Sequence, residues 1–132
     1  MLAVMTEGGP PEPPITEAGV AGLPPSIAAD LREAAQCCTF GAYRAAGLLA
    51  RRAVEQVAVL RRLPLEMRTL DHKLGWLLRE GHLPRERAPD ARVVRDVGTA
   101  AAHGGDALTR AEADAVVRSA LAVARAVLLP GG

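Results

Sequence analysis

The sequence predicts an all-α domain, five helices behind a disordered, proline-rich amino-terminal arm, and three observations carry that prediction. First, 49% of the 132 residues are hydrophobic but only Phe40, Tyr43 and Trp76 are aromatic, so the core must be built from Ala, Leu and Val. Ala and Leu are strong helix formers, and the aromatic residues that fill strands are scarce. Second, apolar residues recur at helical spacing in segment after segment, with no segment of strand period and no internal repeat. Third, six of the ten prolines lie within residues 1–25, together with Gly8, Gly9, Gly19 and Gly22. That stretch is expected to be an extended arm, and residues 26–132 a single helical domain with one modest core.

The elements follow in order. Ile27, Leu31, Ala34, Ala35 and Cys38 fall on one face of a first helix over 26–39, with Ser26 able to cap its start. Tyr43, Ala46, Gly47, Ala50, Ala53, Val54, Val57 and Leu60 define a central helix reaching Arg62, which Pro64 ends. Thr69 opens a third helix with Leu70, Leu74, Leu77 and Leu78 as its apolar stripe and Gly81 as its stop. Pro84 and Pro89 bracket a polar loop, and Asp90 can cap a fourth helix that carries Val93, Val94 and Val97 to His103, with Gly104 and Gly105 terminating it. Thr109 and Glu112 have capping-box spacing. Behind them Ala113, Val116, Val117, Ala120, Leu121, Ala124, Val127 and Leu128 make the clearest amphipathic helix of the chain.

Charge narrows the function classes. Sixteen basic residues against fifteen acidic give a formal net charge of +1, which leaves no large phosphate-binding footprint. All the basic residues but Lys73 are arginine; this suits planar contacts with carboxylate or phosphate and equally follows from a GC-rich genome. Cys37 and Cys38 are adjacent, make no structural bridge, and are expected in the core of the first helix. With no signal peptide and no apolar run of membrane-spanning length, the chain is expected to be cytoplasmic and soluble, with no membrane partner. His72, His82 and His103 share no ligand spacing, so no metal is expected. The absence of a glycine-rich phosphate loop or a nucleophile turn leaves no cofactor expected either.

Two constellations remain. In the segment from Arg95 to Gly105, small residues dominate from Val97 onward and leave His103 open to close approach by another backbone or a ligand. Along the central helix Arg44, Leu48, Arg51 and Glu55 fall on one stripe, with Arg52 beside it. That stripe is either a solvated ion-pair face or a surface that faces the His103 segment and sets its charge or holds an anion. His103 itself has three readings: a helix-end cap, a ligand or interface residue, or a general acid or base.

The stretch AYRAAGLLARRAVE over residues 42–55 and the later RDVGTAAAHGG over 95–105 resemble the two signature segments of the bacterial domain of unknown function 4145. That family is similar to the HEPN superfamily of helical nucleotide-binding and ribonuclease domains. The resemblance spans about residues 26–129. It implies a compact HEPN-like helical domain, often a homodimer, alone or attached to prokaryotic defence and toxin–antitoxin proteins. Catalytic members place an arginine, a polar residue and a histidine as a metal-independent ribonuclease site across a dimer. Counting back from His103, the usual arginine and asparagine positions hold Gly98 and Thr99, and Arg95 stands eight residues away, about 12 Å along a helix. The expectation is therefore a non-catalytic interaction or ligand-binding module using Arg44, Arg51, Arg52, Glu55, Gly98, Thr99 and His103. RNA, a nucleotide or a protein is its possible partner. The alternatives are a ribonuclease using His103 with Arg95 or Arg51 across a dimer interface and with Glu55, and a scaffold docking on a larger enzyme through the arm.

Overall fold

The computed structural model describes residues 12–104 and 107–131, so Gly8, Gly9, Pro10, Pro11 and Gly105 of the sequence reading lie outside the described residues. Six α-helices and one 3₁₀ turn form in the order α1 (Glu17–Val20), α2 (Pro25–Thr39), α3 (Tyr43–Leu60), α4 (Leu70–Arg79), the 3₁₀ turn (Arg85–Arg87), α5 (Ala88–His103) and α6 (Arg110–Leu128). No strand occurs among the described residues. Helix α3 is central and packs against α2, α5 and α6, while α4 closes over one end of the α3–α5 pair.

An alanine-rich core makes that packing close. Ala46, Ala50 and Ala53 of α3, Ala101 of α5, and Ala113, Ala120 and Ala124 of α6 are fully or almost fully buried, with Ile27, Leu31, Val54, Val57, Val94, Val116 and Val117 filling the space between them. Of the aromatic residues, Tyr43 and Trp76 pack partly buried against the edge of this interior, and Phe40 is 84% exposed. At the closest crossing a Cβ placed on Gly47 would lie 2.8 Å from the Cβ of Ala101. The α3–α5 approach therefore depends on glycine there.

Helix ends follow local chemistry. Thr109 and Glu112 form the full capping box of α6: the Thr109 Oγ1 accepts from the Glu112 N–H, and the Glu112 Oε1 accepts from the Thr109 N–H. Thr69 caps α4 by accepting from the His72 N–H. Three expectations need correction. Ser26 does not cap α2, which starts at Pro25, and its hydroxyl donates to Gln56 Oε1 instead. Helix α3 stops at Leu60, two residues short of Arg62. Helix α5 starts at Ala88 with Pro89 inside its first turn, where a missing N–H is harmless; Asp90 accepts from the Ser119 hydroxyl at 2.9 Å rather than capping.

The arm also differs from expectation over its described part. Residues 12–25 hold a sixth helix, α1, and bury Ile15, Val20 and Leu23 against the bundle. Prolines leave this segment's carbonyls without regular partners, and α6 supplies them: Arg118 Nε donates to Pro14 O, Arg125 Nη1 to Gly19 O, and Arg110 Nη2 to Glu12 O. Glu17 adds an ion pair to Arg32 at 2.9 Å.

Candidate functional site

The small-residue face of α5 divides into two halves. Gly98 and Ala101 turn inward: a Cβ on Gly98 would meet Leu70 at 3.1 Å and Arg51 at 3.4 Å, so this half of the face receives α3 and the start of α4. Thr99, Ala100, Ala102 and His103 remain exposed. Part of the room foreseen for a ligand is thus taken by the chain's own helices.

The α3 arginines meet α5 in different ways. Arg44 Nε donates to the Ala101 carbonyl at 2.8 Å, and Gly104, left-handed at φ +66°, returns its N–H to Ala100 O at 3.2 Å. Arg44 and Gly104 together close the carboxyl end of α5, and among the described residues the His103 side chain makes no hydrogen bond there. Arg44 also packs over Gly104, whose added Cβ would sit 3.0 Å from the guanidinium. Arg52 turns the other way, to Asp30 of α2 at 3.3 Å, and does not join the α3–α5 face.

Arg51 is the pivotal side chain. It is only 22% exposed, yet its contacts are long: Nη1 to Gly98 O at 3.5 Å and Nε to Glu55 Oε1 at 3.7 Å. Glu55 is already engaged, because its Oε2 accepts from Lys73 Nζ of α4 at 2.8 Å. The Lys73–Glu55 pair holds a negative charge beside Arg51 without filling its five donors.

Those donors border a groove of about 510 Å³ lined by Arg51 of α3, Thr99 and His103 of α5, and Arg68, Thr69, Leu70 and Asp71 where α4 begins. Arg51, Thr99 and His103, three residues singled out from sequence, meet here in one chain. Arg68 enters from the α3–α4 connection and has no ion-pair partner among the described residues. Arg95 stays outside the lining, hydrogen-bonded to Asp96 at 2.9 Å and 3.7 Å from Asp71. The Asp96 hydrogen bond and charge, with Asp71 behind them, raise its guanidinium pKa further, and Arg95 in turn partly neutralises the groove's one carboxylate. Among the described residues no three His, Cys, Asp or Glu side chains gather as a metal site, and no helix is long and apolar enough to cross a membrane.

Arg68, Asp71 and Lys73 escaped the sequence reading. Thr69 was legible as a helix start, but nothing local indicated that this start would meet the end of α5.

Fold and groove together define a small all-α domain in which the central helix presents arginine toward a histidine-ending neighbour. The family described as Domain of unknown function (DUF4145) matches residues 32–128, and the chain belongs to that family. No curated protein and no solved structure matches it.

Proposed function

We propose that this chain is a HEPN-like, non-catalytic ligand-binding module, a cytoplasmic homodimer in a prokaryotic defence or toxin–antitoxin setting, whose groove holds a phosphate of RNA or of a nucleotide. The observation that supports it is the convergence of Arg51, Arg68, Thr99 and His103 on one groove, with Arg51 mostly buried and its donors underused. An anion is the chemistry such donors lack. The superfamily, the dimer and the setting come from the sequence resemblance.

Binding is favoured over cleavage because Gly98 and Thr99 occupy the positions where catalytic relatives carry their arginine and polar residue. Titration of the full chain with a mononucleotide and with a short oligoribonucleotide, read from the backbone amides of Thr99 and His103, is expected to show saturable shifts that His103→Ala weakens. Undisturbed amides in both titrations would overturn the reading.

One observation favours a second reading, a metal-independent ribonuclease: Arg51 reaches the same groove as His103 without a second chain. There His103 would move the proton and Arg51 would face the phosphate charge. Metal-free RNA cleavage by the native chain that disappears in His103→Ala would establish it; equal background in both would remove it.

A further inference from the structure

Resting on the reading of the groove as an anion site, we infer that it selects a phosphate monoester, the doubly charged terminal phosphate of a small sugar phosphate or of an RNA end, over the singly charged diester of a continuous strand. Charge is the first argument. Two arginines, Arg51 and Arg68, line the groove. The opposing carboxylate, Asp71, is drawn toward Arg95, and Glu55 is held by Lys73. A diester brings one negative charge and leaves this surplus unmatched, whereas a monoester brings close to two.

Donor number is the second argument. Arg51 and Arg68 can each present a two-pronged contact, and the Thr99 hydroxyl and His103 imidazole add single donors. A monoester offers three terminal oxygens to receive them and a diester only two. The third argument is what the groove lacks. Leu70 is its one apolar lining residue and no Phe, Tyr or Trp borders it, so a base finds little stacking surface beyond the His103 imidazole. Affinity comes mainly from the phosphate.

Glu55 is a positioning residue in this arrangement. Bound by Lys73 through one oxygen, it keeps its second oxygen 3.7 Å from the Arg51 Nε and so holds the guanidinium in place beside the groove.

The test is calorimetric titration of the full chain near pH 8, where a monoester is doubly charged, with ribose 5-phosphate and dimethyl phosphate. Ribose 5-phosphate is expected to bind at least about tenfold more tightly, with Arg51→Gln removing most of that affinity and the exposed Arg92→Gln retaining it. Should Arg51→Gln fail to fold, Arg68→Gln on the α3–α4 connection is expected to show the same loss. Equal affinities would overturn the selectivity and leave the anion site standing; no binding of either compound would overturn both. A dinucleotide with a 5′-phosphate, compared with the same dinucleotide without one, separates the sources. Tighter binding of the phosphorylated form admits RNA ends, and equal binding of the two forms overturns that source and confines the selectivity to small sugar phosphates.

Discussion

Cys38 shows how far residue type alone can be read. Its helical register placed it in the core, and it is fully buried. What the sequence left hidden is its neighbour: burial first, then the charge of Asp114, push the thiol up to about 12. Below the ordinary thiol range, near 8.5, the group is neutral in folded and unfolded chains alike and costs nothing. As pH rises beyond that range the unfolded chain ionises while the folded one does not, so stability falls progressively until about 12. Urea unfolding of the native chain and of Cys38→Ala is therefore expected to show a stability gap that narrows as pH is raised from 8 toward 10.5. A constant gap would mean that Cys38 titrates alike in both states. The same contrast holds at the groove. Arg51 and His103 were legible as an arginine stripe and a histidine beside small residues, whereas Arg68 has no periodic pattern around it and gains its role only from where the chain folds.

Helices were legible wherever several turns of apolar spacing supported them, and their ends were legible only where a side chain does the capping. Thr69 and Thr109 cap as their spacing indicated. Asp90 has the right chemistry for a cap but is taken by Ser119 across the core, a tertiary preference invisible in the local sequence. Helix α1, four residues long, is too short for a periodic signal, although Thr16 caps it by accepting from the Gly19 N–H. The end of α3 is set by backbone geometry: Arg62 N–H bonds to Val59 O, Leu63 N–H to Ala58 O, and Arg62 is left-handed at φ +62°. This is the Schellman closure in which glycine is the unstrained residue. A left-handed non-glycine residue costs about 1–2 kcal/mol, and the exposed Arg62 side chain offsets little of it. Arg62→Gly is thus expected to stabilise the chain by about 1 kcal/mol, seen as a higher denaturation midpoint at unchanged slope. A lower midpoint would show that the arginine side chain makes a contact worth more than the strain.

At the scale of the whole molecule, a near-neutral chain and a locally positive groove make different demands on nucleic acid. The formal net charge of +1 offers no extended field to a polyanion, and several arginines are spent on the fold: Arg110, Arg118 and Arg125 on the arm's carbonyls, Arg61 on Val127 O, Arg44 on Ala101 O. Arg51 and Arg68 are the arginines left to line the groove, with His103 beside them. A protein that neutralises Z phosphates of a single strand loses affinity with a log–log salt slope of about −0.7Z. With Z near two, binding of a 5′-phosphorylated oligoribonucleotide is expected to fall with a slope between about −1 and −2. Lengthening the strand beyond the terminal nucleotides is expected to leave that slope unchanged, because the arginines that line the groove are Arg51 and Arg68 alone. Fluorescence anisotropy from 25 to 300 mM salt, on strands of increasing length, measures both quantities. A slope that steepens with length would place the contact on a broad basic surface instead, and would detach RNA binding from the Arg51–His103 groove.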